Sequence, residues 1–258
     1  VNHPAVENYD VSSIRRITYG ASPLHERILR RALEVFPDAS FYQVFGQTEG
    51  GPTVSVLAPR YHATEGPFAG KMKSAGQVVL GSQLAILDEA GRELPVGEIG
   101  EIAVQGPGVS PGYWNLDEVT RASRSGPWLR TGDGGYLDED GFLYISDRIK
   151  DMIISGGENV YPAEVEAVLM RRKEIVECAV VGIPSEKWGE QVHGIVRLEE
   201  GSETTADELI AWCRQHLAGY KCIRSVDFRE EPFPLSATNK VLKRELRKPY
   251  WENEDRSL

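Results

Sequence analysis

The chain has 258 residues, 41% hydrophobic and 26% charged, enough for one large domain or two ordinary ones. Its 29 Lys and Arg face 39 Asp and Glu, a net charge of −10 at pH 7, which argues against nucleic acid held on a broad basic face. No run of about 18 apolar residues exists, so no transmembrane segment is expected, and residues 1–20 lack the apolar stretch of a signal peptide.

The first predicted element is a helix that starts at Ser22-Pro23, with Ser22 as N-cap and Pro23 in the first turn. Leu24, Ile28, Leu29, Ala32, Leu33 and Phe36 follow at helical spacing and stop before Pro37. Ser40–Phe45 reads as a strand closed by Gly46, so residues 1–73 look like part of an α/β layer. Between 74 and 147 the texture changes. Short runs at Gln83–Leu87, Gly100–Val104 and Phe142–Ile145, separated by Gly, Pro and Asp, predict a small β-barrel or sandwich. Residues 148–258 read as an α+β domain of about 100 residues. A helix begins near Pro162, strands fall at 176–183, 191–198 and 224–229, and Thr205 with Glu208 forms a capping box ahead of Leu209, Trp212, Cys213 and Leu217. That helix is expected to stop at Gly219.

The three cysteines (Cys178, Cys213, Cys222) form no CxxC and read as buried reduced thiols of a cytoplasmic protein. The five histidines are scattered without ligand spacing, which argues against zinc. A start at Val1-Asn2-His3 reads as a processed chain or as a piece of a longer one.

Four segments carry candidate chemistry. Phe45-Gly46-Gln47-Thr48-Glu49-Gly50-Gly51 offers a glycine-rich turn, a hydroxyl for phosphate and a carboxylate for Mg2+; a plain polar loop is the competing reading. Arg130-Thr131-Gly132-Asp133 puts one Asp in an expected tight turn, where a carboxylate can accept two ribose hydroxyls. Asp147–Asp151 sits at the change of texture and reads as a linker, or else a charged hairpin turn, followed by Ser155-Gly156-Gly157-Glu158. Pro234–Arg244 is small, polar and basic, and by itself reads as a solvated tail. Two look-alikes fail on physical grounds. Gly108-Val109-Ser110-Pro111-Gly112 matches GxSxG, but Pro111 lacks the N–H that the oxyanion hole needs. Asp138-Glu139-Asp140-Gly141 in calcium-loop register would begin at Tyr136, so a hairpin turn is expected.

In this order and spacing the segments together resemble the adenylate-forming (AMP-binding) superfamily, in the form typical of acyl-CoA synthetases. The most specific piece is the run from Asp147 to Pro162 (DRIKDMIISGGENVYP). The resemblance implies a fold that mixes α/β and α+β parts. Residues 1–147 would be the end of the large adenylation domain (α/β portion 1–73, β-barrel 74–147), and 148–258 a small C-terminal lid domain. It also implies that the phosphate loop of such enzymes lies upstream of Val1. Carried over by position, Gly20, Ala21 and Ser22 would wall the adenine and acyl pocket, and Phe45 beside Gly46 would stack on adenine where many relatives have Tyr. Thr48 would meet the α-phosphate, Glu49 would hold Mg2+, and Asp133 and Arg148 would bind ribose. Lys150 would be the hinge, Gly157 and Trp188 would border the CoA tunnel, and Lys240, preceded by Asn239 where Gly is usual, would be the catalytic lysine. The implied substrates are ATP, CoA and a carboxylic acid, fatty, aryl or other, with a homodimer left open. A carrier-protein-loading adenylation domain and an inactive partial chain are the alternatives. A light-emitting oxidase shares the fold but has no support in these residues.

Overall fold

The computed structural model describes residues 1, 3, 5–21, 24, 26–236 and 240–252. The predicted helix start at Ser22 and Pro23, and Asn239, lie outside the described residues. The chain divides into two compact units, Val1–Ser146 and Asp147–Leu258.

In the first unit, β1 (Arg16–Gly20), α1 (Glu26–Val35) and β2 (Ser40–Gln47) form a β-α-β unit. Its two strands run parallel, with Gly20 opposite Val44. The apolar stripe of α1 buries Leu29 and Ala32 against Phe41 and Met72, as the helical spacing requires. Strands β3 (Gly51–Leu57) and β4 (Gln77–Val78) add antiparallel, giving the order β1-β2-β3-β4. The second sheet contains β5 (Gln83–Leu87) and β6 (Gly100–Gln105). After the short helix α2 (Asp117–Ala122) it continues with β7 (Arg124–Ser125), β8 (Trp128–Leu137) and β9 (Leu143–Arg148). Its order is β5-β6-β8-β7, with β9 paired to β8. The sheets are stitched together where Ala75 N–H donates to the Leu143 carbonyl (2.7 Å) and Leu143 N–H to that of Gly76 (2.8 Å). Ala75, Ile86, Ile102 and Leu143 fill the space inside. At Asp138–Gly141 the chain makes the expected hairpin turn, closed by Gly141 N–H to the Asp138 carbonyl (2.9 Å). The Lys71 ammonium sits between Asp138 (2.6 Å) and Asp140 (2.7 Å).

The second unit is a helix-sheet-helix layering. Its strands are β10 (Ile153–Ser155), β11 (Glu158–Val160), β12 (Ile175–Ser185), β13 (Gly189–Leu198) and β14 (Ser225–Phe228). They run β11-β10-β13-β12, with β14 parallel to β13. Alternation along β12 and β13 sends Val180, Val192 and Val196 to one face, against α3 (Pro162–Leu169) and α4 (Ala206–His216). Ala179, Val181 and Ile195 go to the other, against Phe233 from the segment after β14 and Leu246 of α5 (Lys243–Trp251). Thr205 and Glu208 close the expected capping box on α4, and Leu209 and Cys213 are buried beneath it. All three cysteines are free thiols. Among the described residues no helix is long and apolar enough to cross a membrane.

Candidate functional site

Parallel pairing of β1 and β2 brings the Gly20–Ala21 and Val44–Phe45 segments side by side at the carboxyl ends of these strands. Open α/β sheets commonly bind ligands at such ends. Gly20 is pressed so closely on β2 that a Cβ would stand 2.1 Å from the Val44 carbonyl oxygen. Ala21 follows with φ 65°, a left-handed conformation that costs a non-glycine residue roughly 1–3 kcal/mol and is typical of ligand-contacting backbone. The strand end is fixed from within by Tyr19, whose hydroxyl faces His62 Nε2 (3.0 Å) and Gln43 Oε1 (3.3 Å). Ser22 lies outside the described residues.

Phe45 is half-buried and packs against the cluster of Ala75, Ile86, Ile102 and Leu143. Gly46 lies in β2 itself, where a Cβ would come within 2.6 Å of the Pro52 carbonyl oxygen. Thr48 and Glu49 form the tip of the β2–β3 hairpin, between the paired residues Gln47 and Gly51. The tip is pinned to the 108–113 loop by Ser110 N–H to the Glu49 carbonyl (2.7 Å) and Tyr113 hydroxyl to Glu49 Oε1 (2.9 Å). The bond to Glu49, with some burial, pushes the Tyr113 phenol up from its usual range.

Asp133 is not in a tight turn, as its sequence context suggested, but inside the long strand β8. Ala103 pairs with Arg130 and Glu101 with Gly134, so residues 131–133 oppose Ile102 alone. This bulge is held by Thr131 Oγ1 donating to the Ile102 carbonyl (2.7 Å), by Asp133 N–H to Thr131 Oγ1 (3.2 Å) and by Gly132 N–H to Glu101 (3.0 Å). Bulges re-aim side chains, and this one displaces Asp133 from regular alternation.

The second unit carries the remaining candidates. Asp147–Asp151 is no hairpin: β9 ends at Arg148, and Ile149–Asp151 makes a 3-10 turn with Arg148 and Lys150 exposed. Gly156 and Gly157 turn the β10–β11 hairpin at φ 63° and 86°, which glycine adopts without strain. A Cβ on Gly156 would lie 2.8 Å from the Trp188 ring, whereas one on Gly157 would meet nothing within 4 Å. Gly156 N–H donates to the Trp188 carbonyl (2.8 Å), so Gly157 and Trp188 share one corner of the sheet. Two cations flank that indole: Arg224, with its guanidinium carbon 4.2 Å from the ring centroid, and Lys187, with its ammonium at 4.8 Å. Among the described residues, the buried Nε of Arg224 has no hydrogen-bond partner.

Lys240 is not on a solvated tail. Leu235 and Val241 form a bridge, Ser236 N–H donates to the Lys240 carbonyl (2.8 Å), and Lys240 N–H donates to Ser236 Oγ (3.1 Å). The lysine is thus held at one foot of a short hairpin that leads into α5.

Sequence reasoning missed Tyr113, Lys187, Arg224 and a buried ionic group made of Asp147, Glu166 and Lys243. Lys243 Nζ lies 2.9 Å from Glu166 and 3.5 Å from Asp147. Burial works against the Lys243 charge, but Glu166 and Asp147 outweigh it and hold the ammonium above its usual range. Burial raises the neighbouring Asp151 carboxyl. Partners so far apart along the chain leave no spacing signal.

Comparison with known proteins gives a consistent result. The family model "AMP-binding enzyme" matches residues 1–114, and "AMP-binding enzyme C-terminal domain" matches 164–240. A fatty acid–[acyl-carrier-protein] ligase from Streptomyces coeruleorubidus is 38% identical over 100% of this chain and 49% of its own length. A feruloyl-CoA synthase from Amycolatopsis is 40% identical over 96% of this chain and 49% of its own. The structure of o-succinylbenzoate CoA synthetase from Bacillus subtilis, in complex with its acyl-adenylate intermediate, superposes with a TM-score of 0.82 at 35% identity, covering 93% of this chain and 47% of that one. The chain therefore spans about half the length of the curated relatives it matches.

Proposed function

Since this chain belongs to the AMP-binding enzyme family of adenylate-forming ligases, we propose that it supplies the acyl-transfer lid and part of the nucleotide site of an acyl-CoA ligase. The reaction has two steps. A carboxylate oxygen attacks the α-phosphorus of ATP, forming acyl-adenylate and releasing pyrophosphate. The CoA thiol, having lost its proton, then attacks the acyl carbonyl, and AMP leaves as the thioester forms.

In the first step two anions must meet. The Lys240 ammonium bridges carboxylate and phosphate and relieves the repulsion, a contribution that is large once water is excluded. Ala21 and Gly20 give the nucleotide and acyl group a backbone wall, and Phe45 gives adenine a ring face. Asp133 on its bulge and Arg148 bind ribose hydroxyls, and Thr48 donates to the α-phosphate. Glu49 suits Mg2+, since the Tyr113 hydroxyl engages Oε1 of a hard carboxylate with two oxygens. Glu49 would hold the ion, and its positive charge would offset the negative charge of the leaving pyrophosphate. For the second step the small unit turns about Lys150 and presents the Gly157 corner. There, Lys187 and Arg224 around Trp188 suit a phosphate-bearing thiol such as CoA. The three unpaired thiols fit a reducing, cytoplasmic setting.

The observation that supports this reading most is that one small unit offers Lys240 on one hairpin and Gly157 on a different one. In the intact enzyme, Lys240→Ala is expected to slow ATP–pyrophosphate exchange by about 10²–10³, or ~3–4 kcal/mol, while sparing thioester formation from supplied acyl-adenylate. Equal loss of both steps overturns the assignment. The carrier-protein ligase among the relatives favours a second reading, in which a carrier's phosphopantetheine takes the place of CoA. Transfer to CoA against transfer to a holo-carrier decides between them.

A further inference from the structure

We propose that Asp147, Glu166 and Lys243 form a latch across the pivot segment, closed in this structure and released when the chain turns at Lys150. The proposal rests on the reading of Lys150 as the pivot, and it adds what that turn must break.

Asp147 lies three residues before Lys150, and its side chain is only 9% exposed. One carboxylate oxygen accepts the N–H of Arg148 (2.7 Å), and the other accepts the N–H of Ala163 in the first turn of α3 (2.7 Å). Tyr161, the N-cap residue of α3, offers no side-chain bond, so Asp147 satisfies that helix end from a distant part of the chain. The same carboxylate stands 3.5 Å from Lys243 Nζ. Glu166, on the far side of Lys243, is fixed within the sheet-helix frame. Its Oε1 accepts the Lys243 ammonium (2.9 Å) and the N–H of Val180 on β12 (2.7 Å).

Lys243 therefore has two carboxylates with different freedoms. Glu166 moves only with the small unit. Asp147 is the first residue of the small unit and precedes Lys150 by only three residues, up to about 10 Å of chain, so a large turn at Lys150 would draw it away with the preceding strand and out of bonding range of Ala163 and Lys243. Lys243 remains paired with Glu166 throughout, so no buried ammonium is stranded when the latch opens. Lys243 also opens α5, three residues after Lys240. The residue that fastens the pivot thus anchors the foot of the hairpin that carries the reactive lysine. We assign it a positioning role rather than a catalytic one.

The test uses Asp147→Ala, which removes charge and acceptor, and Asp147→Asn, which keeps an acceptor for Ala163 and guards against a folding defect. In the intact enzyme, pyrophosphate exchange and thioester formation from supplied acyl-adenylate are measured separately. The latch predicts that the ratio of the two rates shifts by about fivefold or more in Asp147→Ala and by less in Asp147→Asn. It also predicts faster trypsin cleavage after Arg148 or Lys150 in the 258-residue chain, by a similar factor. If both rates fall in parallel, within about twofold, and cleavage is unchanged, Asp147 is a static brace and the proposal is overturned. Lys240→Ala, measured alongside, separates the two failures. If that variant spares adenylation, the functional reading falls, and cleavage at Arg148 and Lys150 alone decides the latch.

Discussion

The two units solve the problem of cohesion differently. Among the described residues of 147–258, thirteen buried side chains, from Ile153 to Ile223, form one continuous cluster, and a second covers the opposite face of the sheet. The same unit also holds the largely buried ionic group centred on Lys243. Among the described residues of 1–146, most buried side chains fall into separate clusters of three or four. What joins these is backbone at close range: Gly20 against Val44, Gly46 against Pro52, and the 75–76 segment against Leu143. A unit held by one core and buried charges should tolerate backbone change and resist charge removal. A unit held by close backbone approach should do the reverse.

The sharpest way to break this contrast is Lys243→Met. It leaves Glu166 and Asp147 buried without their cation, which is expected to cost the small unit about 3–5 kcal/mol. Hydrogen exchange should show β12 and α3 losing protection while β1 and β2 keep theirs; equal loss in both units would refute the contrast. Next in size is Gly20→Ala. A methyl group 2.1 Å from a carbonyl oxygen must push β1 from β2, at a cost of roughly 1–3 kcal/mol confined to the first unit. Unchanged exchange along β2 would show that the close approach is incidental. The smallest effect is one the units share. His62 and His193 are both held below the ordinary imidazole range by burial, with Asp227 opposing this at His193. Each folded unit therefore favours the neutral ring. Below about pH 6.5 the unfolded chain takes up protons that the folded chain refuses, so stability falls as the pH is lowered. His193→Gln should flatten that slope for the small unit, where Ser225, Tyr250 and Asp227 surround the ring. An unaltered melting-versus-pH curve would show that the ring is not responsible.

Legibility in the sequence followed the range of the interactions involved. The Thr205–Glu208 capping box, α3 from Pro162 and the strand Gln83–Leu87 could be read because a few neighbouring residues decide them. Motif order supplied the family and the candidate residues. Local reading misjudged Arg130–Asp133 as a turn because Thr and Gly there signal one; only pairing with β6 turns the segment into a bulged strand. It left Pro234–Arg244 as a tail, because a bridge between Leu235 and Val241 followed by a helix packed on Val181 depends on a sheet built elsewhere. The cations around Trp188 and the Asp147–Lys243 pair join distant residues, and no periodicity announces such pairs.

The bulge in β8 has one more consequence. Between Ala103 and Glu101 the partner strand advances two positions, while β8 advances four, from Arg130 to Gly134. The surplus is even, so the in-out phase of the strand is the same on either side of it. Leu129 can stay buried opposite Val104 and Gly135 opposite Gly100 while the intervening loop of backbone is free to vary. Removing two residues there would keep every flanking side chain on its present face. Removing one would invert the phase and turn Leu129 toward water. The strand thus carries a register-neutral insert, a place where the position of Asp133 can be adjusted without rewriting the core.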